Sequence, residues 1–193
     1  MKDYLKLFVF ISIVALITSF AFISMDLLFS ARIEQNQNEA YYRTILVHNE
    51  ITFTEDNMFE VFEETMTTQT FTYEDLEVRV FVNQENNNVS FIFGLFEKAG
   101  VWGDIIGVMT VNEDFTEVVN VSVLINEEQA GKDVSQRYYL DQFKGTNVSL
   151  LESSQALYDE IDQLAGATKT SYAFQEVLLE GFNIYKNLLG IEA

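Results

Sequence analysis

The chain has 193 residues, 48% of them hydrophobic, and its 30 acidic and 11 basic side chains give a formal net charge of −19. It contains no cysteine, which excludes disulfides and cysteine-ligated zinc or iron–sulfur centres, and its single histidine excludes a metal site built from several histidines. So acidic a protein repels nucleic acid, and we therefore predict no nucleic-acid partner.

The first predicted element is a membrane anchor. The run from Leu7 to Met25 consists of 19 uncharged, mostly apolar residues between Lys6 and Asp26. A helix needs about 20 such residues to cross the hydrocarbon core, whereas the apolar region of a cleaved signal peptide has about 7–15. We therefore predict one uncleaved transmembrane helix, preceded by a short tail, within residues 1–31.

The basic residues around this span do not decide its orientation. Lys2 and Lys6 precede the span, and Arg32 and Arg43 follow it at similar distance. The short tail and the absence of cysteine favour an extracytoplasmic C-terminal domain on a single-pass protein of the cell (inner) membrane. That part of the chain, residues 33–193, contains 28 acidic and 8 basic residues.

Helical patterns predict a stalk and lead-in over residues 32–70. Tyr41, Ile45 and His48 are spaced by four and three residues, as on one face of a helix, and a second short helix is predicted around residues 55–65. His48 is far in sequence from the motifs described below, so we assign it a structural role.

Apolar and polar residues begin to alternate near the start of the predicted domain, residues 71–193, and this pattern indicates a sheet. Apolar side chains alternate over residues 76–82, which is typical of a strand with one buried face. Similar strands are predicted at residues 89–96, 104–111 and 118–125, joined in pairs by polar turns. The expected sheet has at least four strands and is mainly antiparallel.

The last predicted element is an amphipathic helix, which follows a short helical turn at residues 138–143. Thr170 or Ser171 is its expected N-cap and Gly190 its expected C-cap. Its apolar stripe consists of Phe174, Val177, Leu178, Tyr185 and Leu188. The predicted fold class is α+β, with a single N-terminal transmembrane helix followed by one domain in which helices flank the sheet.

Three small residues and a hydroxyl precede this helix. Ala165, Gly166 and Ala167 let another group approach the backbone closely, and Thr168 follows them. The free N–H groups at the start of a helix attract phosphate. The segment therefore predicts a phosphate-bearing ligand near Thr168, and the alternative is an ordinary Ser/Thr-rich helix start.

Three motifs in this order resemble the FMN-binding domain family, whose membrane-anchored members include the G subunit of Rnf complexes and the C subunit of the sodium-translocating NADH:quinone reductase. Residues 165–171, Ala-Gly-Ala-Thr-Lys-Thr-Ser, are similar to the family's Ser-Gly-Ala-Thr signature, with alanine in place of the first serine. Residues 100–107 are similar to its Gly-x-Trp/Gly-Gly-x-Ile segment. Residues 128–133 stand at the place of its Glu-Thr-Pro-Gly-Leu-Gly loop, of which Glu128 and Gly131 remain.

The resemblance implies an FMN cofactor whose phosphate is esterified to the hydroxyl of Thr168 by a flavin transferase that uses FAD as donor. The cofactor-binding residues implied around the phosphate are Gly166, Ala167, Lys169, Thr170 and Ser171. The phosphate charge would be met by backbone N–H groups near residues 170–172 and by the Lys169 ammonium.

The other two motifs imply contacts with the flavin ring. Trp102 would form a wall against the ring, and its alternative role is that of a buried core tryptophan. Glu128 and Gly131 would shape the loop over the flavin, and their alternative is an ordinary acidic surface turn.

The predicted function is that of an electron carrier subunit in a membrane ion-translocating respiratory complex of the Rnf or sodium-pumping type. Its partners would be the other subunits of that complex, the membrane and, during maturation, the flavin transferase. It would be a redox subunit rather than a complete enzyme, and we assign no catalytic or metal-binding residue. The alternatives are a stand-alone anchored flavoprotein that reduces an external acceptor, and an anchored structural or ligand-sensing domain without flavin.

Overall fold

A computed structural model describes residues 2–129 and 131–191. The helices within these residues are α1 (Lys2–His48), α2 (Met58–Thr65), α3 (Arg137–Leu140), α4 (Ser154–Glu160) and α5 (Thr168–Leu188). The strands are β1 (Met66–Tyr73), β2 (Leu76–Asn83), β3 (Val89–Phe93), β4 (Ile105–Val111) and β5 (Val118–Asn126).

The chain divides into two compact units, Met1–Ala40 and Tyr41–Ala193. The described part of the first unit is helical and belongs to α1. Within it, Phe8–Met25 is long and apolar enough to cross a membrane, by length and composition alone. This segment coincides with the predicted span except for Leu7, and its described side chains are mostly exposed.

The second unit is built on a five-stranded antiparallel meander with the strand order β1-β2-β3-β4-β5. The predicted α+β class is confirmed, and so are the hairpins β2–β3 and β4–β5. The sequence pattern does not predict β1, because four of its eight residues are threonine and its apolar side chains do not alternate regularly.

One face of the sheet packs against α5. The alternating valines of β2, Val78 and Val80, are buried there together with Phe91 of β3. The Phe91 ring stacks on Tyr185 of α5 with a centroid distance of 4.6 Å. The predicted stripe of α5 is confirmed, because four of its members are buried and Leu188 is partly buried against the same core.

The C-cap of α5 is Leu189, one residue before the predicted Gly190, and Gly190 follows it to close the helix end. Gly190 has φ +68°, and its N–H donates to the carbonyl of Asn187 at 3.1 Å. The N–H of Ile191 donates to the carbonyl of Lys186, also at 3.1 Å. These two bonds satisfy carbonyls that the end of a helix leaves open, and the left-handed conformation they need is easiest for glycine.

The opposite face of the sheet packs against α2 and the last turns of α1. Ile45 and Phe62 are buried there with Phe81 of β2, and Tyr42 stacks on Phe62 with a centroid distance of 4.1 Å. Because aromatic and aliphatic side chains of two helices cover this face, the sheet has a core on both sides.

A polar network is buried under the end of α1. His48 is 3% exposed, with Nδ1 2.9 Å from Thr110 Oγ1 and Nε2 2.8 Å from Ser122 Oγ. Ser90 Oγ continues the chain of hydrogen bonds to Thr110 at 2.8 Å, and Asn49 adjoins Ser90. His48 therefore joins the helix end to three neighbouring strands, which confirms its predicted structural role.

Burial, together with the smaller effect of the positive charges of Arg137 and Lys144, lowers the pKa of His48 to about 3. Both ring nitrogens already have hydroxyl partners, and a hydroxyl can donate or accept. The neutral ring is therefore satisfied in either tautomer, whereas the imidazolium would be a buried cation.

We predict that this histidine makes the fold sensitive to acid. Between pH 6.5 and about 3 the unfolded chain binds a proton at this position that the folded chain does not bind. The contribution of His48 to the free energy of unfolding is therefore intact above pH 6.5 and falls by about 1.4 kcal/mol per pH unit below it. Urea unfolding of the full chain as a function of pH measures this effect.

The matched control is His48→Gln, whose amide can donate and accept but does not titrate. The difference in pH dependence between the wild type and this variant isolates the histidine from the many carboxylates. Identical pH profiles for the two proteins would contradict a neutral buried ring.

Candidate functional site

Helix α5 begins at Thr168, with Ala167 at the N-cap position, so the predicted N-cap at Thr170 or Ser171 is wrong. Both of these side chains are buried and serve other contacts. The Ser171 hydroxyl accepts the N–H of Leu164 at 3.1 Å and donates to the carbonyl of Ala167 at 3.2 Å. Ser171 thus fixes the loop that leads into the helix.

Thr168 lies in the first helical turn and is an exposed residue, as is Lys169 beside it. Gly166 is exposed with φ +81°, and apart from its chain neighbours no atom of the described residues lies within 4 Å of the position that a Cβ would take. The backbone before the helix is therefore open to a ligand, as the small-residue segment predicts.

The N–H groups available at this helix start lie earlier than predicted. The N–H of Ser171 already donates to the carbonyl of Ala167 at 2.9 Å. The groups without an intrahelical acceptor are those of residues 168–170, rather than of residues 170–172. They adjoin the Thr168 hydroxyl directly.

Glu128 is fully buried, and its carboxylate joins two segments of the site. Its Oε2 accepts the Thr170 hydroxyl at 2.8 Å, and its Oε1 accepts the backbone N–H of Trp102 at 2.8 Å. The N–H of Glu128 donates to Asn126 Oδ1 at 3.0 Å, which ties it to the end of β5. The interpretation of Glu128 as an ordinary acidic surface turn is therefore wrong.

Two glycines make room for this carboxylate and its partner. A Cβ on Gly131 would lie 2.1 Å from Thr170 Cγ2, and a Cβ on Gly100 would lie 2.2 Å from Glu128 Oε1. Both distances are far below contact. A larger residue at position 131 would push its loop away from α5, and one at position 100 would displace the Glu128 carboxylate. Ala130, within the same motif, lies outside the described residues.

Trp102 carries the chain's single indole, and its side chain is 70% exposed. The interpretation as a buried core tryptophan is therefore wrong. Its backbone is fixed by Glu128 while its ring faces solvent, beside the 38% exposed Val101. An exposed aromatic ring on an anchored backbone is suited to contact a flat ligand.

The structure connects Trp102, Glu128, Gly131 and Thr170 in one set of contacts. Thr168 lies two residues before Thr170, which is about 200° around the helix axis, so its side chain leaves the helix in a different direction.

Sequence reasoning missed two contributors to this region. Asn126 supports Glu128, and no motif marks it. Tyr172 follows Thr168 by one turn on the same helix face, which the i, i+4 spacing could have shown. Its ring is 37% exposed and lies 4.5 Å from the ring of Tyr158, between centroids.

Comparison with known proteins places this site within a recognised sequence region. Residues 100–182 match the FMN-binding domain family, so the resemblance stated above is confirmed. This region contains each of the site residues predicted from the sequence. It supports FMN as the ligand of the domain. The chain matches no curated protein.

The fold is similar to that of two solved structures. NqrC from Shewanella oneidensis has a TM-score of 0.59 at 16% identity, with 82% of this chain and 100% of that chain covered. The C subunit of the Na⁺-translocating NADH-quinone reductase from Parabacteroides distasonis has a TM-score of 0.55 at 16% identity, with 84% and 98% covered. Similarity at this identity shows a shared fold.

We predict that Glu128→Ala lowers the free energy of unfolding by about 3 kcal/mol, because it leaves the partly buried Trp102 N–H and the buried Thr170 hydroxyl without this partner. Glu128→Gln is the matched control, since its amide can accept from Trp102 and donate to Thr170. Urea unfolding gives the stability, and the fluorescence anisotropy of the single tryptophan reports loop mobility. Equal stability and anisotropy in Glu128→Ala and the wild type would contradict the bridging role.

Proposed function

We propose that this protein is a membrane-anchored electron carrier in which FMN is bound through a phosphoester to Thr168. The observation that carries the proposal is that Thr168 is exposed in the first turn of α5, inside the region that matches the FMN-binding domain family. The neighbouring hydroxyls of Thr170 and Ser171 are buried and hydrogen-bonded, which supports Thr168 as the attachment residue.

The surroundings of Thr168 suit a phosphate. The N–H groups of residues 168–170 and the positive end of the helix dipole favour an anion at this place. Lys169 adds an exposed ammonium group next to the hydroxyl. Gly166 leaves the approach to the backbone open.

Attachment from FAD is a balanced phosphoryl-group transfer. The bond from Thr168 Oγ1 to the phosphorus of the FMN half forms, and the bond from that phosphorus to the bridging oxygen of the pyrophosphate breaks. AMP leaves, and the proton of the threonine hydroxyl passes to solvent. No oxidation or reduction occurs in this step.

The ring end of the cofactor would rest against Trp102. The exposed indole offers a flat face, and Glu128 holds the backbone beneath it. Bound FMN supplies the capacity to accept and donate electrons, while the protein fixes the position of the ring and its access to water.

A covalent tether and a membrane helix would both restrict where the flavin can go. The phosphoester prevents loss of the cofactor into a dilute extracytoplasmic space. Phe8–Met25 would hold the domain at the membrane, within reach of the neighbouring subunits of an ion-translocating complex of the Rnf or sodium-pumping type.

We expect Thr168→Ala to abolish covalent flavin completely when the full chain is coexpressed with a flavin transferase, because the variant lacks the attacking oxygen. The measurements are in-gel flavin fluorescence of the denatured protein and mass spectrometry of the peptide that contains residue 168. Thr168→Ser should restore the adduct.

Tyr172→Phe is the discriminating control for this experiment. It removes the hydroxyl that lies one turn further along the same face of α5, keeps the hydrogen bond between Thr170 and Glu128, and should leave the adduct on residue 168. A flavin adduct that persists in Thr168→Ala, or a wild-type protein of unaltered mass, would refute the assignment.

We expect Trp102→Ala to retain the covalent flavin and to expose its ring to water. Flavin fluorescence of the folded protein should then become more sensitive to soluble quenchers such as iodide, whereas Trp102→Phe should show a smaller change because it keeps an aromatic face. Unchanged quenching in Trp102→Ala would show that the indole does not cover the ring.

A further inference from the structure

The two edges of the sheet differ in a way that the flavin site does not explain. At the β5 edge, Val118 exchanges hydrogen bonds with Gly145 and Thr146 at 2.8 and 2.9 Å. Two register irregularities interrupt the pairing of β4 and β5, and the Arg137 guanidinium lies 3.4 Å from the carbonyl of Val121. Bulges and covering segments are common ways to protect a sheet edge.

The β1 edge has none of these devices. All eight residues of Met66–Tyr73 pair with β2 in continuous register, and within the described residues no strand pairs with β1 on its other side. Its sequence, Met-Thr-Thr-Gln-Thr-Phe-Thr-Tyr, contains no charged residue, and residues 67–70 are exposed. A long, regular and uncharged edge is a template for an added strand.

The backbone groups that face outward can be identified from the pairing. The N–H of Gln84 donates to the carbonyl of Thr65 at 2.9 Å, so this pair is a hydrogen-bonded one. Pairs alternate along an antiparallel ladder. The residues whose N–H and carbonyl groups point away from β2 are therefore Met66, Thr68, Thr70 and Thr72.

Acidic side chains flank both ends of this edge. Glu63 and Glu64 precede β1, and Glu74 and Asp75 follow it, all of them exposed. Two copies of β1 paired with each other in antiparallel orientation would bring these like charges together, which disfavours a second copy as the added strand. Basic residues at the ends of an incoming segment would complement them.

A cleft at the Tyr73 end of β1 fits such a basic residue. It has a volume of about 490 Å³, with Leu76 and Phe96 among its apolar lining and Asp75, Glu97 and Glu180 among its acidic lining. A lysine or arginine buries its apolar stem while its charged end stays near acids and water. Glu180 also accepts the backbone N–H of Lys98, at 2.8 Å, which holds its carboxylate in place.

We propose that β1 binds an extended segment of a partner protein as a sixth strand. The segment has an uncharged, strand-forming centre and basic residues at its ends, one of which occupies the acidic cleft. The interaction does not involve the flavin site and does not depend on the proposed cofactor.

The test uses the full chain in detergent micelles and two synthetic peptides. One peptide has alternating threonine and valine with paired lysines at each end, and the other has glutamates in place of the lysines. We expect the lysine peptide to bind and to slow hydrogen exchange at the amides of Thr68, Thr70 and Thr72, with binding weakened by salt. The glutamate peptide should not bind.

Thr70→Pro is the decisive variant, because it removes an N–H that points outward and leaves every hydrogen bond to β2 in place. An edge strand tolerates proline at such a position. This variant should bind the lysine peptide about tenfold more weakly or worse, whereas Thr70→Val should bind it with the affinity of the wild type. Asp75→Asn combined with Glu97→Gln should reduce the salt dependence.

Three results would overturn the proposal: equal binding to Thr70→Pro, no added protection of the outward amides, or self-association of the wild type through β1 that Thr70→Pro abolishes. The last result would identify a second copy as the occupant. The covalent flavin content of Thr70→Pro should equal that of the wild type, which separates this test from that of the flavin site.

Discussion

A carboxylate with no access to solvent holds the candidate site together. Glu128 lies just beyond β5 and receives a backbone N–H from the loop at residue 102 and a hydroxyl from the first turn of α5. A buried carboxylate is costly unless it is hydrogen-bonded, so this geometry persists only while both donors stay in place. The relative positions of the tryptophan loop and the helix start are consequently fixed by one side chain.

The rest of the fold supports this arrangement from two sides of the sheet. On one face, α5 is anchored by aromatic packing such as that of Phe91 on Tyr185, which fixes the helix whose first turn carries Thr168. On the other face, the neutral His48 network links the end of α1 to β3, β4 and β5. The strand that leads to Glu128 is therefore held from the opposite face as well.

Much of this structure could be predicted from residue patterns. The alternating apolar residues of β2 and the apolar stripe of α5 can be recognised because apolar and polar positions contrast strongly there. The structure confirms both predictions. β1 has no such contrast, since half of this edge strand is threonine and it buries little on either face. The sequence pattern puts the N-cap of α5 too late, because Thr170 and Ser171 have the chemistry of caps but bond to groups outside the helix. Their partners lie 42 and 7 residues away, and local pattern alone does not reveal them.

Burial in the first turn of α5 has a consequence for the proposed attachment of flavin. Of the three residues with hydroxyls in this turn, Thr170 and Ser171 are buried and hydrogen-bonded, and Thr168 is exposed. Folding would thus leave one residue available to a flavin transferase and withhold the two similar side chains beside it. A modifying enzyme that acts after the domain has folded finds a single available target, whereas one that acts on the nascent polypeptide would have to choose among three.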